Sequence, residues 1–296
     1  TNGKGVWDYT LTNRPSRRSV YLPLTLRSYY RFSSTTDPYE SNNYLSQAYT
    51  LPGPGDYNAY IWTTSDEDWY RLNVSTLGPI VIDLKNMPSG TDYDIEFYTA
   101  AGLRVGGSWM GGNADERIVS QPVQTGQYYV VIYSFSGSSQ TQAYRLSLAY
   151  NSARGSGRIY GTVKNNGYTQ KNVPIILYYY NGYRTTRVST LTDSSGNYNF
   201  WGMPALPVGH TYRIYYPNYE DNDQRLGYWG CWSFTGYQAS QTYNACSFDI
   251  KGIPLIFPNG GETRVLPITF QWSIRNLTGD NYQFSLYRTS PSYASY

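Results

Sequence analysis

Short segments in which apolar and polar residues alternate, separated by turn residues, make up most of residues 37–150. Every second side chain of an extended strand lies on the same face, so this alternation predicts strands with one buried face. Predicted strands are Asn58–Thr63, Trp69–Val74, Pro79–Leu84, Asp92–Tyr98, Glu116–Ser120, Gln127–Phe135 and Ala143–Tyr150. About seven strands in a region of this length are typical of a β-sandwich.

Five motifs follow one another through the same region. They are Asp37-Pro-Tyr-Glu-Ser-Asn-Asn, Ser65-Asp-Glu-Asp-Trp-Tyr, Thr91-Asp-Tyr-Asp-Ile-Glu-Phe-Tyr, Glu116 and Gly126-Gln-Tyr-Tyr-Val-Val-Ile. In order and spacing they resemble the bacterial pre-peptidase C-terminal domain. The resemblance implies a jelly-roll-like sandwich of the kind appended to secreted hydrolases and surface proteins, with no catalysis of its own.

A second unit is predicted for residues 151–250, after the small polar linker Asn151–Gly157. Its motifs are Gly157-Arg-Ile-Tyr-Gly-Thr-Val, Val173-Pro-Ile-Ile-Leu and Thr192-Asp-Ser-Ser-Gly-Asn-Tyr-Asn-Phe. They resemble the carboxypeptidase regulatory-like, prealbumin-type sandwich, which implies a spacer module of an exported protein. The insertion Tyr219–Ser247 departs from that pattern and leaves the later strands of the unit undefined.

Residues 251–296 begin with Pro258-Asn-Gly-Gly-Glu and then alternate cleanly, with Ile268, Phe270 and Trp272 on one face of a predicted strand. The segment is similar to the start of an immunoglobulin-like surface domain. About half of such a sandwich is present. We therefore expect either an open groove or a continuation beyond this segment.

Residues 1–36 belong to no predicted domain. Val20, Leu22, Leu24 and Leu26 lie on one face of an extended segment, as expected for a donor strand. This arm also contains five arginines and no acidic residue between Asp8 and Asp37. The arginines are interpreted either as solvated charges or as groups that dock on an acidic surface of a neighbouring molecule.

The composition supports an all-β fold. The chain contains 35 Tyr, 8 Trp and 9 Phe together with 28 Gly and 16 Pro, a mixture that suits pleated sheets and turns. A net charge of +3 with 15% charged residues does not favour nucleic acid as a partner. No apolar run is long enough for a transmembrane helix. The start at Thr1 is interpreted as that of a processed, exported product.

The two cysteines, Cys231 and Cys246, are interpreted as a disulfide, because no second thiol pair or histidine cluster suggests zinc. Closing a loop of that length would stabilise the fold by roughly 3 kcal/mol on the chain-entropy model. A disulfide in turn favours an extracellular or cell-surface location.

Acidic residues provide the one candidate metal site. Asp66 and Asp68, with Asp92 and Asp94, are in the densest acidic stretches of the sequence, and calcium needs several converging oxygen ligands. Calcium is therefore a candidate cofactor, and no other cofactor is predicted. The alternative is that these carboxylates are solvated or paired with arginines beside core residues.

No catalytic residues are predicted. The single histidine, His210, is in a turn that leads into a strand, and no nucleophile elbow, metalloprotease motif or phosphate loop accompanies it. Aromatic clusters such as Tyr178-Tyr-Tyr could stack on sugar rings, but they also suit a sandwich core or a subunit contact.

These features together predict tandem β-sandwiches, jelly-roll-like and then immunoglobulin- or prealbumin-like, with an extended arm and an incomplete C-terminal sandwich. The leading hypothesis is a non-enzymatic, pilus-like filament subunit that polymerises head to tail by donating its arm to another copy of itself. The alternatives are accessory modules of a larger secreted hydrolase, or an adhesin that binds surface glycans.

Overall fold

The structure is a computed structural model that describes residues 37–150, 155–182, 185–217, 229–230, 233–258, 264–275, 282, 287–288 and 294–295. The predicted donor residues Val20, Leu22, Leu24 and Leu26 lie outside the described residues, as does Cys231. The predictions made for them stay predictions.

The described residues form β-strands and a single-turn 3-10 helix at Leu45–Gln47, with no α-helix among them. The strands of the first region are β1 (Tyr49–Thr50), β2 (Gly55–Ala59), β3 (Glu67–Val74), β4 (Ile80–Lys85), β5 (Asp92–Thr99), β6 (Arg104–Ser108), β7 (Glu116–Gln121), β8 (Gly126–Ser136) and β9 (Tyr144–Tyr150). Those of the second are β10 (Arg158–Asn165), β11 (Tyr168–Thr169), β12 (Pro174–Tyr180), β13 (Thr185–Leu191), β14 (Asn197–Trp201), β15 (Thr211–Tyr216), β16 (Trp229–Gly230), β17 (Thr242–Asn244) and β18 (Phe248–Asp249). Four short strands follow: β19 (Leu255–Phe257), β20 (Gln271–Trp272), β21 (Tyr287–Arg288) and β22 (Ala294–Ser295). The predicted all-β class is confirmed.

Two sheets enclose the core of the first region. One has the strand order β1-β3-β8-β5-β6, and the other includes β7, β4, β9 and β2. Tyr70, Leu72, Ile82, Ile95 and Leu146 pack between them and are at most 1% exposed. Burying an aliphatic side chain of this size contributes about 1.5 to 3 kcal/mol, so this core is a main source of stability.

The second region has its own buried cluster. Strands β10, β11, β14, β17 and β18 form one sheet, and β12, β13 and β15 supply the facing strands. Ile159, Val163, Leu177, Tyr198 and Ile214 fill the space between them. Side chains alternate along β12, where Ile175 and Leu177 face this cluster.

One sheet runs through both regions. β13 of the second region pairs in parallel with β7 of the first, through Ser189 opposite Ser120 and Thr190 opposite Gln121. The resulting eight-stranded sheet has the order β16-β15-β12-β13-β7-β4-β9-β2. Leu191, at the end of β13, belongs to the core cluster of the first region. The polar linker therefore does not separate the two regions in space.

Three strands of the first region differ from the prediction, and one of them, β1 at Tyr49–Thr50, was not predicted. The strand predicted at Asn58–Thr63 lies earlier, at Gly55–Ala59, because its pairing with β9 runs from Gly55 opposite Leu148 to Ala59 opposite Tyr144. β6 was not predicted, since Gly106 and Gly107 weaken any apolar alternation. A side chain at Gly106 would come within 3.1 Å of Ser189 Oγ, so glycine lets β6 pack closely on the eight-stranded sheet.

The side chain of Gln121 reinforces the connection between the regions. Its Nε2 donates to the carbonyl of Trp201 at 2.9 Å, and its Oε1 accepts from the amide of Trp201 at 2.7 Å. The residue is only 7% exposed. These two bonds pair both backbone polar groups of Trp201 with the side chain of Gln121.

Gln121→Ala is expected to lower the free energy of unfolding by about 1 to 3 kcal/mol, because both backbone groups of Trp201 lose their partner. Gln124→Ala is the matched control, since Gln124 is exposed and uses only its backbone carbonyl, which accepts from Tyr128. Urea denaturation of both variants measures the difference. Equal stability of the two variants would contradict the stabilising role assigned to the side chain of Gln121.

Candidate metal centre

The segment before the first strand is held against the start of β3. The carboxylate of Asp37 accepts from the amides of Tyr39 at 2.9 Å and Tyr60 at 2.7 Å. The carbonyl of Asn42 accepts from the amide of Trp69 at 2.9 Å. These bonds bring the Asp37-Pro-Tyr-Glu-Ser-Asn-Asn motif next to the Ser65-Asp-Glu-Asp-Trp-Tyr motif.

Three carboxylates converge where these motifs meet. One oxygen from each of Glu40, Asp66 and Asp68 lies within 4.8 Å of the other two. Asp66 is held by the amide of Trp62, which donates to Oδ2 at 2.7 Å. Asp68 is fully buried in β3, on the same face as Tyr70. Oxygen atoms this close suit a hard divalent cation.

Several polar atoms at this place have no hydrogen-bond partner among the described residues. Oδ2 of Asp68 accepts from the hydroxyl of Tyr144, which also contacts the hydroxyl of Tyr70 at 2.7 Å. Oδ1 of Asp68 and both side-chain polar atoms of Asn42 are buried without a partner. Leaving such atoms unpaired costs free energy, and a bound cation would remove that cost at the oxygens.

The electrostatics of the group also favour a cation. Burial raises the pKa of Asp68 well above its usual value, and the charges of Asp37, Asp66 and Glu40 raise it further. Burial likewise raises the pKa values of Asp37, Glu40 and Asp66. None of the ion pairs between described residues involves this group. A bound cation would offset the repulsion between these carboxylates. These residues could bind a metal ion.

The structure brings together two of the four predicted metal ligands. Asp66 and Asp68 join Glu40, whereas Asp92 and Asp94 lie elsewhere. Asp68 is opposite the core residue Ile132 of β8, but Asp94 is opposite Tyr133, one position further along. Because successive residues of a strand point to opposite faces, Asp68 and Asp94 are on opposite sides of the sheet.

Asp94 belongs to a second acidic group on the outer face of that sheet. Burial and the charges of Asp92 and Glu96 raise the pKa of Asp94 to about 6. Glu96 forms an ion pair with Arg104 at 2.8 Å. The buried Glu116 accepts from Ser108 Oγ and the amide of Met110. Glu116 therefore holds the start of the β6–β7 connection, and Glu96 is paired with an arginine. Asp92 and Asp94 take part in none of the ion pairs between described residues, and their role as ligands stays a prediction.

Glu40 and Asn42 were not predicted as ligands. Both are in the Asp37 motif, but that motif is separated from Asp66 by more than twenty residues, and nothing in its local pattern indicates which side chains turn inward. Tyr144, whose hydroxyl donates to Asp68, is a core residue of β9, and its place in the sequence does not indicate that it contacts the acidic group. Only the fold brings these residues together.

The other candidate residues named from the sequence make contacts within the fold. His210 Nδ1 bonds to the hydroxyl of Tyr179, with the two rings 5.4 Å apart. Tyr178 packs edge to face on Tyr215. Cys246 has no free thiol. Its pairing with Cys231 stays a prediction because Cys231 is outside the described residues.

Comparison with known proteins found no matching family model and no matching curated protein. The pre-peptidase C-terminal domain of a collagenase from Bacillus anthracis is similar over 34% of this chain and 92% of its own, with 17% identity and a TM-score of 0.29. The pilus adhesin RrgA from Streptococcus pneumoniae matches 55% of this chain and 28% of its own, with 10% identity and a TM-score of 0.17. BcpA, the major pilin subunit of Bacillus cereus, matches 68% of this chain and 66% of its own, with 10% identity and a TM-score of 0.18.

The collagenase domain is of the class that the motifs of residues 37–150 resemble, and the other two are pilus proteins. Likenesses at this level do not identify a function. In the part of the chain that the structure describes, no helix has the length and apolar character needed to cross a membrane. Function has to be inferred from the residues of the chain itself.

Proposed function

We propose that this chain is a non-enzymatic, extracellular subunit of a cell-surface filament, which assembles head to tail by β-strand addition. The observation that carries the proposal is an incompletely covered apolar row near the C-terminal end. Ile268, Phe270 and Trp272 are only half-buried, while Thr269 and Gln271 between them are exposed. This row is the candidate acceptor for the arm of another copy.

Other apolar side chains in this part of the sequence are also exposed. Ile256 is 52% exposed, Val265 88%, Leu266 80% and Ile274 56%. Clustered exposed apolar residues of this size mark interaction surfaces more often than single ones do. Among the described residues, the β19–β20 sheet has two strands, and an isolated two-stranded sheet is marginally stable in water.

The candidate acceptor is attached to the second sandwich. Arg275 is 6% exposed and donates through Nη1 to the carbonyl of Lys251 at 3.0 Å and through Nη2 to that of Asp249. Asp249 in turn accepts from the amides of Asn166 and Gly167. These hydrogen bonds therefore anchor the end of the acceptor segment to the second sandwich, so a strand added at β19 or β20 would be connected to it as well.

The arm supplies matching side chains. The four side chains are at alternate positions of the arm and would all pack on the apolar row: Val20, Leu22, Leu24 and Leu26. Main-chain hydrogen bonds would add affinity. Full burial of four such residues gives on the order of 6 to 12 kcal/mol before ordering costs are subtracted. A contact of this kind is heterologous and does not close on itself, so it produces filaments.

Calcium is the cation that we propose for the metal centre. Glu40, Asp66 and Asp68 would supply carboxylate oxygens, and Asn42 Oδ1 is a further candidate. Calcium accepts six to eight oxygen ligands in flexible geometry, which suits a mixed set of carboxylate and amide groups better than the strict octahedron of magnesium does. Its role would be to stabilise the segment that follows the arm.

The assembly proposal is tested with the purified full-length chain. We expect negatively stained micrographs to show uniform fibres, and sedimentation to show a species that grows with protein concentration. A chain that stays monomeric at every concentration tested, in the presence of calcium, would contradict the proposal.

A further inference from the structure

The two sheets that meet at β6 differ in width. The five-stranded sheet ends at β6, whereas the eight-stranded sheet continues from β7 into β13, β12 and β15. A groove of about 200 Å³ lies along this step. We call it the step groove and define it by Leu103 and the β6 residues 104–107, with Trp109, Val119, Ile176 and Arg187 among the side chains that line it.

One edge of β6 is open. In the part of the chain that the structure describes, β6 pairs with β5 alone, so its other edge has no ladder partner. Open edges pair readily with extended segments unless charge, proline or a covering element protects them. The charged residue of β6, Arg104, is already engaged by Glu96.

The groove has an apolar floor next to that edge. Ile176 is opposite Ser189 on one side and Tyr215 on the other, and it is outside both core clusters. Pro174 and Val119 continue the apolar lining. Gly106 lets β6 lie close to Ser189, the residue opposite Ile176 in the neighbouring strand, so the open edge of β6 and Ile176 line the same groove.

The charges of the groove are unbalanced. Arg104 and Arg117 contact Glu96 at 2.8 Å and Asp83 at 2.9 Å. Arg187 is exposed, stacks over the ring of Tyr178 at 5.4 Å, and takes part in none of the ion pairs between described residues. The described residues that line the groove include these three arginines and no acidic residue, which favours an acidic occupant.

We propose that the step groove binds an extended acidic peptide segment of a partner protein, which adds as a strand to the open edge of β6 and places a carboxylate against Arg187. Apolar side chains at alternate positions pack on Ile176 and Pro174. The arm of another copy is a poor occupant, because its five arginines would face the arginines of the groove. This surface is therefore distinct from the one proposed for assembly.

The test uses the full-length chain and a short, end-blocked peptide of alternating valine and glutamate. We expect calorimetric titration to detect binding, and amide hydrogen exchange to slow in residues 103–108, since strand addition protects the edge. The same peptide with lysine in place of glutamate should not bind. Absence of binding by the glutamate peptide, or binding without slower exchange at β6, overturns the proposal.

Arg187→Glu should weaken binding about tenfold, because an attraction becomes a repulsion. Arg264→Glu is the matched control, since Arg264 is also exposed and stacks on an aromatic ring, that of Phe257, away from the groove. Equal losses in the two variants would indicate a non-specific charge effect and overturn the proposal. Tighter binding of polygalacturonate than of the peptide would identify an anionic glycan site instead, and would overturn it as well.

Discussion

Leu24→Arg is expected to abolish assembly of the chain into fibres while leaving both described sandwiches folded. The substitution removes a side chain that would be buried at the joint and puts a charge in its place. Lost burial and the cost of an unpaired charge together weaken the joint by on the order of 5 kcal/mol, about a thousandfold or more in the association constant. Electron microscopy and sedimentation measure the result.

Thr25→Arg is the matched control for this experiment. It adds the same residue one position further along the arm, on the opposite face of an extended segment. We expect it to assemble normally, and thermal unfolding should be the same for both variants. Fibres of normal length from Leu24→Arg would show that Leu24 is not buried at the joint, and loss of assembly in both variants would point to net charge instead of register.

Calcium is expected to raise the unfolding temperature of the chain, and Asp66→Asn is expected to remove that effect. Binding to the folded state alone contributes about 2.7 kcal/mol at a free calcium concentration about a hundred times the dissociation constant. For a chain of this size that corresponds to roughly 5 to 10 °C. Differential scanning calorimetry with calcium and with chelator measures both variants.

Glu67→Gln is the control for the metal prediction. It removes one negative charge from the neighbouring residue, whose carboxylate accepts from Trp69 Nε1 and is not among the converging oxygens. We expect it to keep the calcium effect. Equal calcium responses in Asp66→Asn and in the unmodified chain would rule out Asp66 as a ligand.

The pH dependence of the free energy of unfolding tests the same group of carboxylates independently. The pKa values of Asp37, Glu40, Asp66 and Asp68 are raised in the folded state, so that state binds protons more tightly than the unfolded chain does. Without metal, the contribution of these groups to stability is greatest below about pH 4 and decreases as the pH rises through their raised values. Calcium affinity should increase as the pH rises, because protons compete for the same oxygens. In chelator at neutral pH, Asp66→Asn should therefore be more stable than the unmodified chain.

Local pattern was sufficient for most of the strands. In β3, Tyr70, Leu72 and Val74 are buried and alternate with more exposed residues, as the sequence indicates. The density of acidic residues also predicted Asp66 and Asp68 as candidate metal ligands. β6 was missed because its two glycines carry no apolar signal, although its edge lines the step groove. Glu40 was missed because its partners are far away in the sequence.

Local alternation is sufficient to predict the all-β class, the positions of most strands of the first region and the face on which each of their side chains lies, since a strand's periodicity of two is a local property. Tertiary structure alone decided which faces meet. Pairing across β8 separates Asp68 from Asp94, the approach of residues 37–43 to β3 adds Glu40, and the contact of β7 with β13 joins the two regions into one sheet. These outcomes depend on register and packing between distant segments, which no single stretch of sequence specifies.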